Sequence, residues 1–154
     1  MLEEKLNELK MQTTLSTLWL AALFNLIFRD IHEFIRPGFI EAVTAKTAAG
    51  EGWTQIEFLG FAVLLNVPIM MMLLSRVLPQ RPNRRANLVG APLATILFSI
   101  GTLVDFIDLD NLFHVGIAIT LFAIIFRLAW RWEVPTRQVP VPTTSAVTSA
   151  GFHP

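Results

Sequence analysis

The residues of this chain that could do chemistry are histidines and carboxylates that gather beside long apolar segments. Their spacing is that of helical neighbours: Asp30 and Glu33 are three residues apart, and Asp110 and His114 are four apart. Pairs at these spacings share one face of a helix. Histidine together with carboxylates can bind a divalent metal ion, relay protons or position a polar headgroup. The candidate ligand-binding residues are Asp30, His32, Glu33, Glu57, Asp105, Asp108 and His114.

Two interpretations of these residues remain open. In the first they form a site, because charges at or inside a membrane boundary are costly and tend to be functional. In the second they are solvated helix ends, with Arg29 and Arg36 offsetting nearby acids. Adjacent helical side chains point about 100° apart, so we expect Arg29 to pair across helices rather than with Asp30. The sequence contains no HExxH or paired-histidine spacing, so it specifies no metal site and no cofactor.

Four segments that lack charged residues must position these side chains. They cover residues 11–28, 58–75, 88–104 and 112–126, and the only ionisable residue within them is His114. At 1.5 Å per helical residue, each is about long enough, or nearly so, for the ~30 Å hydrocarbon core of a bilayer. Hydrophobic residues make up 53% of the chain and charged residues 16%, which is below the roughly 25% charged content of soluble domains. The sequence therefore predicts an integral membrane protein.

The predicted fold is all-α, an up-down-up-down four-helix bundle with spans at about 11–30, 54–78, 88–107 and 111–132. An amphipathic lead-in at 1–10 precedes it, a short interfacial helix is expected at 39–46, and a disordered tail rich in Pro, Ser and Thr follows at 133–154.

Basic residues are distributed unequally between the two predicted sides of the membrane. Four spans place both termini on one side, where nine of the 12 Lys and Arg residues fall; only Arg29, Arg36 and Lys46 lie on the other. This positive-inside asymmetry predicts a multi-pass protein of the cell (inner) membrane with both termini cytoplasmic and the candidate residues on the outer side. The net charge of zero argues against nucleic-acid binding, and the absence of cysteine excludes thiol chemistry.

The segment LSTLWLAALFNLIFRDIHEFIRPGFIEAV, followed by LSRVLPQRPNRRAN, resembles a family of small bacterial four-span membrane proteins of unassigned function. The resemblance covers most of residues 13–132 and implies the same four-helix architecture. More distantly, the layout is similar to DoxX-type four-span proteins and to the sterol-isomerase and sigma-2-receptor type of bundle. Neither resemblance supplies catalytic residues.

Three functions are compatible with these features. The chain could handle a small ligand, ion or proton at the outer carboxylate–histidine cluster; it could be a membrane-embedded acid–base enzyme acting on a lipid or isoprenoid; or it could be a non-catalytic subunit that packs against a homo-oligomeric or membrane-complex partner. A deep cavity lined by the candidate carboxylates would favour the first two functions. Asn25 and Asn66 lie within apolar stretches, where they are expected to bond to each other across spans 1 and 2 or to bind a ligand.

Overall fold

The computed structural model describes residues 2–104 and 109–133. The all-α prediction is confirmed, since these residues form five helices and no strand. Asp105 and Asp108, and the tail beyond Glu133, lie outside the described residues. The helices are α1 (Leu2–Ile35), α2 (Phe39–Ala48), α3 (Gln55–Val77), α4 (Gln80–Val104) and α5 (Leu109–Arg131).

The amphipathic lead-in and the first apolar segment form one continuous helix, α1, of 34 residues. It ends at Ile35, just before Pro37, because proline disfavours helical geometry in the residue that precedes it. Gly38 then adopts φ 84° as the N-cap of α2, a left-handed conformation that glycine adopts without a steric penalty. Because α1 continues beyond its apolar stretch, its last two turns carry the polar segment 29–35 as ordered helix.

Three helices, α1, α3 and α5, are long and apolar enough to cross a membrane by length and composition. The helix α3 continues through Pro68, which is buried. By length and composition, these three helices could therefore span a membrane.

The four long helices pack around one shared core. α1 contacts α3 and α5, and α4 also contacts α3 and α5, so the four form a closed ring. Trp19 of α1 and Phe122 of α5 are fully buried at the centre, with ring centroids 5.4 Å apart. Nε2 of Gln12, in the first half of α1, donates to the carbonyl oxygen of Leu78, the residue that follows α3, so α1 and α3 are antiparallel.

A buried polar network crosses this core between α1, α3 and α4. The indole N–H of Trp19 donates to Oδ1 of Asn87 at 2.7 Å, and Nδ2 of Asn87 donates to Oδ1 of Asn83 at 2.8 Å. Nδ2 of Asn83 donates in turn to the backbone carbonyl of Ser75 at 2.7 Å. Buried amides are costly unless bonded, so this network favours the one helix arrangement that satisfies it.

An arginine of α4 stabilises the end of the molecule opposite the candidate cluster. Nε of Arg84 donates to the carbonyl of Ala129 at 3.0 Å, and its Nη2 donates to that of Trp130 at 3.2 Å. These carbonyls belong to the last turn of α5, where a cation offsets the helix dipole. The arginine therefore has a structural role in holding α4 to α5.

Candidate functional site

Three side chains converge where the end of α1 meets the start of α5. Nδ1 of His32 lies 3.4 Å from Oδ1 of Asp110, and Nε2 of His114 lies 3.7 Å from the same oxygen. The two imidazole rings meet edge to face with centroids 5.4 Å apart. One potential ligand atom from each residue lies within 4.8 Å of the others. We call His32, Asp110 and His114 the outer triad.

Local sequence explains why these residues meet. His32 lies in the last turn of α1, and Asp110 lies in the first turn of α5, positions where the helix dipoles favour a cation and an anion respectively. His114 follows Asp110 by four residues and therefore shares its face of α5. The antiparallel packing of α1 on α5 then brings His32 opposite that face.

Asn25, seven residues before His32, fixes the orientation of His114. Its Nδ2 donates to the backbone carbonyl of His114 at 2.7 Å, so its Oδ1 is the atom that lies 3.0 Å from Nδ1 of the same histidine. An amide oxygen only accepts, so Nδ1 of His114 must carry the hydrogen and donate it. The proton position on this ring is thus set by the hydrogen-bond network.

This tautomer has a chemical consequence at the other ring nitrogen. When His114 is neutral, its Nε2 carries a lone pair, and that lone pair lies 3.7 Å from a carboxylate oxygen of Asp110. Both atoms are electron-pair donors, and neither carries a hydrogen in this tautomer. A cation placed between them could therefore contact both.

The outer triad is open on one side and closed on the other. The side chain of His32 is 49% exposed and that of Asp110 is 41% exposed, whereas that of His114 is only 9% exposed. One and two turns further along α5, Ala118 and Phe122 are buried, and Ala22 of α1 is fully buried beside them in the core. An ion would reach the triad from the helix ends and meet an apolar layer beyond it.

The other acidic candidates on α1 form local ion pairs outside the outer triad. Nη2 of Arg29 lies 3.0 Å from Oδ1 of Asp30, and Nη2 of Arg36 lies 3.1 Å from Oε2 of Glu33. The expectation that Arg29 pairs across helices rather than with Asp30 is wrong. The side chain of Arg29 is long enough to reach its neighbour although the two side chains leave the helix in different directions. Both Nε and Nη2 of Arg29 donate to Oδ1 of Asp30.

Glu57 has a structural partner at the start of α3. Its Oε2 accepts from the backbone N–H of Thr54 at 2.7 Å, and its own N–H donates to Oγ1 of Thr54 at 3.3 Å. This reciprocal pair is a capping box, which satisfies helix donors that would otherwise lack partners. The structure thus brings together only His32 and His114 of the described candidate residues, with Asp110 between them.

Sequence reasoning missed the role of Asn25 and left Asp110 out of the candidate ligands. The expectation that Asn25 and Asn66 bond to each other is wrong, because Asn25 faces α5 and bonds His114. Asn66 is exposed on α3, where its Nδ2 donates to the carbonyl of Ala62 on the same helix at 2.8 Å. On a helical wheel of α1, Asn25 and His32 lie two turns apart on one face. This spacing could have indicated from sequence that the two side chains belong to the same site.

Two open grooves of about 490 Å³ each lie on the outer surface of the helices. Residues of α5 such as Gly116 and Thr120 line one groove, and residues of α3 such as Ala62 and Asn66 line the other. Neither groove is lined by a residue of the outer triad.

Comparison with curated proteins and with solved structures finds no match. A family described as a family of unknown function (DUF6326) matches residues 5–137, a range that contains α2 to α5, all of α1 except its first three residues, and the whole outer triad. This agrees with the predicted resemblance to a family of unassigned function. The chain belongs to the DUF6326 family.

Proposed function

We propose that this protein is a four-span inner-membrane protein that binds a small cationic ligand or ion at the outer triad, on the extracytoplasmic side. The observation that carries the proposal is the pair of hydrogen bonds between Asn25 and His114. Because Oδ1 of Asn25 only accepts, Nδ1 of His114 donates to it, which leaves the Nε2 lone pair of His114 3.7 Å from a carboxylate oxygen of Asp110. A cation between these two electron-pair donors would contact both.

The membrane part of the proposal is supported by helix length, composition and charge. Three helices have the length and hydropathy of membrane spans, and α4 contributes a fourth uncharged stretch over residues 88–104. With four spans, nine basic residues fall on the side of the termini and three on the side of the outer triad. The positive-inside rule then assigns the triad to the extracytoplasmic side.

Packing below the triad favours binding over conduction. Among the residues that the structure describes, apolar side chains such as Leu26, Ala22 and Phe122, each 0% exposed, lie between the triad and the buried Trp19–Asn87 pair. Beside these side chains a cation would lose its hydration without gaining polar partners, which is costly. The protein is therefore proposed to hold its ligand at the outer end.

Thermal unfolding of the purified protein tests the function. The panel is Na⁺ and K⁺, Mg²⁺ and Ca²⁺, first-row divalent transition metals, and small organic amines. We expect one class to raise the melting temperature of the wild type, because a ligand at 100 times its Kd adds about 2.7 kcal/mol of stability. Asp110→Asn should abolish this shift, while Glu41→Gln, which removes an exposed acid of α2, should retain it.

Two results would overturn the proposed function. One is a wild-type melting temperature that no member of the panel changes. The other is a shift that survives in Asp110→Asn, since the ligand would then bind elsewhere on the chain.

A second candidate function, assembly with another copy of this chain, is favoured by the position of Asn66. This amide is exposed on α3, within the uncharged stretch at 58–75, and lines the groove on that helix. Its bond to Ala62 uses one amide hydrogen of Nδ2, which leaves the second hydrogen and both lone pairs of Oδ1 to be satisfied. In the hydrocarbon core of a bilayer, no water is present to bond these groups. The same amide of a second copy is complementary, because in a two-fold dimer with its axis along the membrane normal the two copies of Asn66 lie at the same depth and can pair if the axis passes between them.

A further inference from the structure

We propose that the cation bound by the outer triad is a divalent first-row transition metal. His32, Asp110 and His114 coordinate it, and it links the end of α1 to the start of α5. This inference rests on the proposed function and narrows it to one class of ligand. The three residues come from two helices that are far apart in sequence, so a metal at this point would join elements that the chain does not connect directly.

The separations between ligand atoms are close to those of a metal site. Tetrahedral coordination with bonds of about 2.0–2.1 Å places ligand atoms roughly 3.3 Å apart. In the triad, the His32–Asp110 separation is 3.4 Å and the His114–Asp110 separation is 3.7 Å. All three ligand atoms lie within 4.8 Å of one another. The third edge, between the two imidazole nitrogens, would have to reach the tetrahedral value, and His32 is the more exposed of the two side chains, at 49% against 9%.

The types of ligand atom select the metal. Two imidazole nitrogens and one carboxylate oxygen suit Zn²⁺, Fe²⁺, Co²⁺ or Ni²⁺, whereas Ca²⁺ and Mg²⁺ require mostly oxygen ligands. The chain contains no cysteine, so the site has no thiolate that would favour Cu⁺. The expected metal is therefore of the borderline divalent class.

Asn25 occupies the position of an outer-shell partner in such a site. A metal-bound histidine normally donates its second ring N–H to an oxygen acceptor, which orients the ring. Nδ1 of His114 has this acceptor in Oδ1 of Asn25 at 3.0 Å, and Nε2 is left for the metal. Asn25 is itself held by its bond to the backbone carbonyl of His114, so the ring orientation is fixed before a metal arrives.

Three protein ligands leave at least one coordination position for water or a small molecule. His32 and Asp110 form the exposed side of the triad, so the open position faces solution rather than the core. Structural zinc sites usually have four protein ligands, while sites that exchange a bound molecule keep one position open.

Titration with Co²⁺, an absorbing substitute for Zn²⁺, tests the inference on the full chain purified without a polyhistidine tag. We expect one Co²⁺ per chain, visible absorption bands of bound Co²⁺, and their loss when Zn²⁺ is added. Mg²⁺ should not displace Co²⁺. His32→Ala and Asp110→Asn should each lower Co²⁺ affinity more than about 100-fold, because even outer-shell partners contribute about 10- to 100-fold.

Asn25→Ala separates an outer-shell role from direct coordination. It should lower Co²⁺ affinity by about 10- to 100-fold while the stoichiometry stays at one ion per chain. His153→Ala is the matched control, since it removes the third histidine of the chain, and it should bind Co²⁺ like the wild type. His32→Ala removes a half-exposed side chain, so it also serves as the folded variant if changes at buried His114 prevent folding.

The outcomes separate this inference from the proposed function. If wild-type protein binds no Co²⁺ but Na⁺ or an organic amine stabilises it through Asp110, the metal inference fails and the proposed function stands. If Co²⁺ binds equally well to wild type, His32→Ala and Asp110→Asn, the metal lies elsewhere and the inference fails. If nothing binds, both fail.

Discussion

The indole N–H of Trp19 donates to Oδ1 of Asn87 at 2.7 Å, inside a core where both side chains are 0% exposed. This bond connects α1 to α4, two helices that face each other across the ring. Ser75 of α3 contributes its hydroxyl to the same network, 3.4 Å from Oδ1 of Asn87. The central core is therefore held by directional bonds as well as by apolar contact.

Trp19→Phe should destabilise the protein by about 1–3 kcal/mol, because it removes the best donor to a buried amide oxygen. The hydroxyl of Ser75 compensates in part and favours the lower end of this range. Denaturant-induced unfolding in mild detergent, followed by circular dichroism, measures the change. Trp130→Phe is the matched control, since Trp130 is 64% exposed and should cost much less. Equal effects of the two substitutions would contradict a structural role for the Trp19–Asn87 bond.

Thr54→Ala should loosen the start of α3 by about 0.5–2 kcal/mol, since it removes the hydroxyl that caps Glu57 N–H. Amide hydrogen exchange at residues 55–58 is the sharpest readout. Thr44→Ala removes a threonine that bonds only its own helix carbonyl at Ile40, so it should leave exchange at α3 unchanged. Glu57→Gln should leave the cation-induced rise in melting temperature unchanged. Loss of that rise would show that Glu57 contributes to cation binding.

Gly90 allows α3 and α4 to approach closely, and Gly90→Ala tests that contact. A Cβ atom at Gly90 would lie 2.8 Å from Cε and 2.9 Å from Sδ of Met71. Overpacking of this kind costs about 1–3 kcal/mol, and the flexibility of methionine favours the lower end. Gly116→Ala is the control, because a Cβ there meets nothing within 4 Å. In a Met71→Ala background the cost of Gly90→Ala should shrink, and an unchanged cost would exclude this contact as its cause.

The helical content and the family class were predictable from sequence because both depend on local patterns. The helix-breaking signals at Pro37–Gly38 and at Pro79 indicate where helices end, and the structure has α1 ending at Ile35 and α3 at Val77. Likewise, the spacing of Asp110 and His114 predicts that they share a face, and the two side chains lie 3.7 Å apart.

The composition of the site was less predictable because it depends on packing between helices. Periodicity alone does not say which face of α1 meets α5, so the pairing of Asn25 with His114 could not be read from either segment. Glu57 looked like Asp110 in sequence, a carboxylate at the start of an apolar helix. Its different role is decided by Thr54 three residues earlier, a capping signal that is legible in the sequence.

Both termini and the α3–α4 connection should be cytoplasmic, because nine basic residues fall on their side of a four-span arrangement. Reporter fusions after Val77 and at the carboxyl end should both show a cytoplasmic location, and a fusion in α2 should show an extracytoplasmic one. Replacing Arg81, Arg84 and Arg85 with Gln should weaken this orientation. A cytoplasmic α2 reporter would rule out the outer placement of the triad.

Asn66→Leu should reduce association between copies of the chain in a bilayer. Interhelical bonds of this kind contribute about 0.6 kcal/mol on average and up to roughly 2 kcal/mol, so we expect the dimer dissociation constant to rise by about 3- to 30-fold at 1.4 kcal/mol per tenfold. Energy transfer between labelled chains in liposomes, measured against lipid dilution, gives the dimer dissociation constant.

Thr120→Val is the matched control, because it removes from the α5 groove a hydroxyl that bonds only the Gly116 carbonyl on its own helix. A wild-type chain that stays monomeric at every dilution, or an Asn66→Leu variant that associates as well as the wild type, would exclude α3 as the contact surface. The expected result is a loss specific to Asn66, because its amide keeps a donor and an acceptor for the second copy, whereas the hydroxyl hydrogen of Thr120 is already donated to its own helix.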